Sequence, residues 1–177
     1  MITTNNDEED FLARSFRNQG KRGMDYGGLH HDFGNSSRMT ELQALMGSLQ
    51  LERLPQMLGR RTAAARVISQ ELDRAGISYC STAHMDAASH YKLIVHLPEG
   101  ASLERVRKDL AADGVIPGGG VYELPSHRQP VFAGLGDGGP LPGADRWCPR
   151  HLCPPLTSGM GEEDAVLVGQ ALVKHLR

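Results

Sequence analysis

Residue types able to do chemistry gather at a few points along this sequence. Cys148-Pro149-Arg150-His151-Leu152-Cys153 places two thiols and an imidazole in one short segment, the donor types that bind zinc. A structural zinc needs four ligands, usually in close pairs, whereas the spacing here is C-x4-C and Cys80 is distant. Two ordinary thiols in a loop is the favoured reading, and no metal ligand is assigned. Pro117-Gly118-Gly119-Gly120 could turn backbone N–H groups toward an anion. It lacks both a P-loop lysine and a strand–loop–helix setting, so a simple turn is expected. Eight histidines are scattered without partners at set spacing, and His84, His90 and His96 carry no functional reading. Arg14, Arg17, Lys21 and Arg22 read as a solvated helix face rather than a nucleic-acid patch. Between Lys21 and Ser37 runs a loop with glycines at 23, 27, 28 and 34, which also holds His30, His31 and Asn35. Loops of this length are uncommon in a compact domain unless they are functional or ordered by a partner.

The elements around these residues follow from periodicity. Asp7 is expected to cap a helix from Glu8 to about Gln19, burying Phe11, Leu12 and Phe16, with Gly20 as its stop. The strongest helix starts near Ser37, capped by Ser37 or Thr40, with Leu42, Leu45, Met46 and Leu49 at three- and four-residue steps. Pro55 should kink it or open a second helix. The continuation through Val67, Ile68 and Leu72 ends at Gly76, giving one long bent helical spine. Tyr91–Leu97 reads as a buried strand and Val115-Ile116 as the start of another. Ser102 opens an amphipathic helix that Gly114 stops, and a last helix runs from about Glu162 to Leu176. A Gly/Pro-rich stretch with little periodicity fills residues 117–161. The second half is thus a small β-α-β-loop-α unit.

Composition narrows the function classes. Of 177 residues, 40% are hydrophobic and 23% charged, the balance of a folded globular chain. The formal charge of −2 argues against a general nucleic-acid binder, which would show a basic excess. No apolar run approaches the roughly 18 residues of a membrane span, and the acidic opening MITTNNDEED is not a signal peptide. Three cysteines without an export signal fit a reducing, cytoplasmic setting.

Several segments in a fixed order carry a resemblance. They are MITTNNDEED, RSFRNQG, LHHDFGNSSRMTELQALMGSLQLERLPQMLGRR, LPSHRQPVF and HLCPPLTSGMGEED. Together they resemble the C-terminal half of the DegT/DnrJ/EryC1/StrS sugar aminotransferases, which are fold-type-I pyridoxal-phosphate enzymes. The central segment weighs most: His30, then G-x-N-x-R-M, present as Gly34-Asn35-Ser36-Ser37-Arg38-Met39 with one extra residue. Thr40 to Ala44 and Gln50 to Leu54 continue the family pattern, followed by Arg60-Arg61 and His127-x-Gln129-Pro130. The resemblance implies an α/β chain. Residues 1–54 would complete the large domain and the cofactor-site loop, and residues 55–177 would form the helical spine and a small C-terminal α/β domain.

It also implies roles. The family's asparagine reaches across a dimer to the cofactor phosphate in the neighbouring subunit, and that role passes to Asn35 alone. The physics agrees, since an amide in a glycine-flanked loop before a helix can donate to a phosphate oxygen, though a turn residue would sit there equally well. His30 and His127 match histidines near the substrate mouth, each with a structural role as the alternative. No catalytic residue is assigned. In the family, the lysine that holds the cofactor precedes the sequence matched by Met1-Ile2-Thr3-Thr4. That lysine, the acidic partner of the pyridinium nitrogen and most of the phosphate cup are therefore expected outside this chain. Lys21, Lys92, Lys108 and Lys174 do not sit in that context. An aminotransferase needs such a lysine. The expectation is the C-terminal subunit of a split enzyme, inactive alone, sharing pyridoxal 5'-phosphate with a lysine-bearing partner chain. Its reaction would move an amino group from an amino acid to a keto-sugar or cyclitol-like acceptor. The alternative is a non-catalytic remnant with an interaction or regulatory role.

Overall fold

The computed structural model describes residues 2–23, 28–132, 134 and 140–177. Met1 of the opening segment, Gly27 of the glycine-rich loop and part of the Gly/Pro-rich stretch lie outside the described residues. The chain forms two compact units, residues 1–52 and 53–177.

In the first unit, helix α1 spans Asp7–Arg17. Its cap is Asn6, not the expected Asp7. The Asn6 carboxamide oxygen accepts the Glu8 and Glu9 N–H groups at 2.9 and 3.3 Å, which puts Asp7 inside the first turn among four acidic residues. These side chains complement the positive end of the helix dipole. Phe11, Leu12 and Phe16 were expected to be buried, yet all three are exposed, and the buried position is Ser15. The helix also stops at Arg17, earlier than expected, because the next residues turn left-handed: Gln19 has φ 63° and Gly20 φ 76°.

Helix α2, Glu41–Ala75, starts one residue after Thr40. Thr40 and Gln43 form a capping box, with the Gln43 N–H donating to Thr40 Oγ1 at 3.3 Å and the Thr40 N–H donating to Gln43 Oε1 at 2.9 Å. Of the two candidate caps, Thr40 is the one used. The helix passes through Pro55 as a single element, so no second helix opens there. It closes as expected at Gly76, whose φ of 70° permits a Schellman ending. The Gly76 N–H donates to Asp73 and the Ile77 N–H to Leu72.

The core of the second unit is built on the last turns of α2. Ala64, Ile68 and Leu72 pack with Leu93, Val95, Leu97 and Leu152, with Val106 and Leu110 of helix α3 (Leu103–Ala112), and with Ala165, Val168, Leu172 and Leu176 of helix α5 (Glu162–Leu176). Helix α5 covers Glu162–Leu176, as its periodicity indicates. Gly169 lets α5 approach α2 closely: a Cβ there would lie 2.9 Å from the Glu71 Cβ. Ser102 caps α3 and Gly114 ends it, both as expected.

The strands differ from expectation. Only Val95–His96 of the Tyr91–Leu97 run forms a strand, β1, paired antiparallel with β2, His151–Leu152. Val115 is buried, but Val115-Ile116 forms no strand, and Ile116 points into solvent. The second strand arises instead from the Gly/Pro-rich stretch, which also holds helix α4 (Pro142–Trp147) and short 3-10 turns at Ser126–Arg128, Pro130–Phe132 and Cys148–Arg150. Leu93 and Leu97, on either side of β1 in the chain, are buried in the same core without belonging to a strand.

Candidate functional site

Asn35 is fixed by the end of α1. A Schellman ending would send the Gln19 N–H back to the Phe16 carbonyl. Here the Asn35 backbone takes both positions. Its N–H donates to Phe16 O at 2.7 Å, and its carbonyl accepts the Gln19 N–H at 3.0 Å. The Ser37 N–H adds a bond to Arg17 O at 3.0 Å, and the Gly20 N–H reaches Ser15 O at 2.8 Å. Contact this close needs glycine on both sides. A Cβ on Gly34 would strike the Gly20 nitrogen and come within 2.7 Å of Phe16 O, and one on Gly20 would strike the Asp32 carbonyl.

A second tie sits one residue before Phe33. The Ser15 hydroxyl, buried, donates to Asp32 Oδ2 at 2.6 Å, while Arg22 grips the same carboxylate through Nε at 2.9 Å and a terminal nitrogen at 2.6 Å. The Arg22 guanidinium, then the Ser15 hydroxyl, hold the Asp32 carboxyl down at about 2. The His31 N–H and the Asp32 N–H both donate to Gly20 O. Asp32 is thus a charged peg that pins the loop to the helix. Sequence reasoning did not pick out this trio. A lone serine in the middle of an amphipathic pattern was its only signal.

The side chains follow from this backbone. Asn35 is exposed, and its carboxamide oxygen accepts the Ser36 N–H at 2.8 Å. That bond sets the orientation of the amide, so Nδ2 is the donating end, with no hydrogen bond recorded to it among the described residues. His30 is exposed too. Its Nδ1 lies 2.6 Å from Gln19 O, so Nδ1 carries the proton and Nε2 is left as an acceptor. Within this unit the structure therefore brings Asn35 and His30 onto the same loop end, both hydrogen-bonded to the segment around Gln19.

Beside the helix end lies an open groove of about 630 Å³, lined by Phe11, Ser15, Asn18 and Met39 and by the cations Arg14, Arg17, Lys21, Arg22 and Arg38. Asp10 pairs with Arg14 at 2.7 Å and Asp32 with Arg22. Arg17, Lys21 and Arg38 have no carboxylate partner among the described residues, so the groove carries an excess of positive charge.

His127 belongs to the second unit, in the 3-10 turn Ser126–Arg128. Its Nε2 is 2.9 Å from Asp145 Oδ1, and Arg128 clamps that carboxylate with contacts of 3.0 and 3.1 Å. The Arg128 guanidinium holds the Asp145 carboxyl below the usual carboxylate range; burial pushes the other way, and the His127 contact adds a smaller lowering. Asp145 carried no signal in the sequence. The other segments considered above are internally engaged. The Gly118 N–H donates to Cys153 O and the Gly120 N–H to Glu123, which also pairs with Arg107, so the glycine run turns these two donors inward. Cys153 and His151 are buried, and His151 accepts the Val121 N–H at 2.8 Å. All three cysteines are free.

The arrangement of helices and short strands is that of fold-type-I pyridoxal-phosphate-dependent transferases, matched over about half their length. Helicobacter pylori PseC, an aminotransferase involved in the biosynthesis of pseudoaminic acid, superposes with a TM-score of 0.85 at 18% identity, over 98% of this chain and 47% of that one. S. venezuelae DesV gives 0.84 at 27% identity, over 97% and 45%. The chain belongs to the DegT/DnrJ/EryC1/StrS aminotransferase family, which it matches over residues 1–173. A curated relative, the "Pleiotropic regulatory protein" of Geobacillus stearothermophilus, is 28% identical over 181 residues, covering 100% of this chain and 47% of its own length. The chain thus spans about half the length of the relatives it matches.

Proposed function

We propose that this chain is one part of a pyridoxal-phosphate-dependent aminotransferase and that a second polypeptide completes it. The observation that carries the reading is the Asn35 loop, whose backbone is locked to α1 while its amide donor faces outward. A loop locked this tightly, with an exposed amide donor, suits a phosphate contact better than a simple turn, which needs neither the glycine contacts nor the Asp32 peg. Asn35 would donate Nδ2–H to the phosphate.

Bound pyridoxal phosphate supplies the electron sink for amino transfer. The chain's own lysines do not suit the covalent role. Lys92 donates to Gly119 O, Lys174 is paired with Asp113, Lys108 is exposed and Lys21 lines the groove. None is the buried, desolvated amine that such chemistry favours. The lysine is assigned to the partner chain. His30 and His127 would contact substrate, and the acceptor would be a keto group on a sugar or cyclitol, with an amino acid as donor. Three free thiols, and no helix among the described residues long and apolar enough to cross a membrane, suit a reducing cytoplasm.

The name of the Geobacillus relative favours a second reading, a regulatory protein of the family without catalysis. One experiment separates the two. The chain is co-expressed with a candidate lysine-bearing partner, and amino transfer from glutamate to a keto-sugar is measured for the complex and for each chain alone. Turnover only in the complex supports the split enzyme. A complex that binds cofactor but shows no turnover with any keto-sugar or keto-cyclitol favours the regulatory reading.

A further inference from the structure

Asp145 ties helix α4 to the 3-10 turn at Ser126–Arg128, and it does so through His127 and Arg128 together. A carboxylate oxygen can only accept hydrogen bonds. Facing Asp145 Oδ1 at 2.9 Å, the neutral His127 ring must therefore carry its proton on Nε2, which leaves Nδ1 as a lone-pair acceptor. Arg128 spans both oxygens of the carboxylate, so the acceptor is itself held in one orientation. Both the tautomer and the direction of the ring are then set from the side away from Nδ1.

We propose that Asp145 is a positioning residue that presents His127 Nδ1 as an acceptor, so that the group His127 recognises is a hydrogen-bond donor, such as a hydroxyl of the acceptor molecule. This rests on the reading of His127 as a substrate contact. A carbonyl or phosphate oxygen would find no proton at Nδ1 of the neutral ring.

The tautomer can be read without cofactor, partner or substrate. The full chain is labelled with 15N, and long-range 1H–15N spectra are recorded at alkaline pH, where imidazoles are neutral. His127 is identified by the signals lost in His127→Gln. The expected result is Nδ1 at the position of an unprotonated nitrogen and Nε2 at that of an N–H. Asp145→Ala should reduce the tautomer ratio roughly tenfold, the worth of one charge-assisted hydrogen bond. Arg128→Leu should leave the proton on Nε2. A proton on Nδ1 in the wild-type chain overturns the proposal, as does an unchanged ratio in a folded Asp145→Ala. If Asp145→Ala does not fold, the wild-type spectrum alone decides.

In the assembled enzyme, His127→Gln, Asp145→Ala and the double variant should raise KM for the keto acceptor by similar factors, because the two residues act as one device. Additive losses would count against it. If the wild-type complex shows no amino transfer, the proposed function fails while the spectra still settle the role of Asp145.

Discussion

Asn35 is held by two backbone hydrogen bonds to the end of α1, so its side chain can be changed without dismantling the loop. Asn35→Ala should weaken cofactor retention in the assembled enzyme by about ten- to a hundredfold, corresponding to roughly 1.5–3 kcal/mol for a hydrogen bond to a charged group. Asn35→Asp should be worse, because it sets a carboxylate against the phosphate, and Ser36→Ala serves as the control. Fluorescence titration with pyridoxal phosphate measures all three, and unchanged affinity in Asn35→Asp would reduce Asn35 to a turn residue. Asp32 leads to a pH prediction. Its folded pKa of about 2 lies below the ordinary 3.8, so the contribution of its ion pair is complete above 3.8 and fades as pH falls through that interval. The thermal midpoint should therefore drop between those two values. In Asp32→Asn it should start lower at neutral pH and change less across the same interval. A wild-type slope retained in Asp32→Asn would place the titration elsewhere.

The helices were legible where caps and glycine stops agree with periodicity. Ser102, Gly114, Gly76 and the run from Glu162 to Leu176 each carry a local signal that tertiary structure did not override. The strands were not, because YKLIVHL is equally apolar whether it pairs along its length or, as here, at Val95 and His96 alone. Helix α4 and β2 were hidden in a stretch whose glycines and prolines mask any period. For the candidate site, the sequence marked the loop and Asn35 through a resemblance, but the pegs Ser15–Asp32–Arg22 and Asp145–His127 depend on residues far apart in the chain. Phe11, Leu12 and Phe16 show the limit of periodicity, since it names an apolar face without saying what covers it. Packing at the end of α2 supports a stability prediction. Leu72 is fully buried among α3, α5 and β1, so Leu72→Ala should cost about 2–5 kcal/mol in chemical denaturation. A loss below about 1 kcal/mol would mean that this core is not close-packed around Leu72.

At the scale of the molecule, the first turns of α2 present Leu42, Leu45, Met46 and Leu49 to solvent, with exposures of 67, 60, 58 and 51%. Apolar stripes of this kind mark interaction surfaces. With the proposed lysine-bearing partner, the chain is expected to form a stable hetero-oligomer burying well above about 1,000 Å². Sedimentation of the mixture tests this, and two species that continue to sediment separately would count heavily against it. The same helix has a consequence for biosynthesis. From Glu41 to Ala63 no residue of α2 is buried, and the buried face that gives it tertiary support begins at Ala64. A helix without such support is marginal in water, because each attempt must overcome a costly nucleus. Its anchor is completed by Leu172 and Leu176 of α5, which leave the ribosome well after α2 itself. Although the chain emerges from its N-terminus, α2 should therefore gain lasting order from its far end backwards. Ribosome-bound chains stalled before α5 would then carry Leu42 to Leu49 as unfolded, chaperone-accessible sequence.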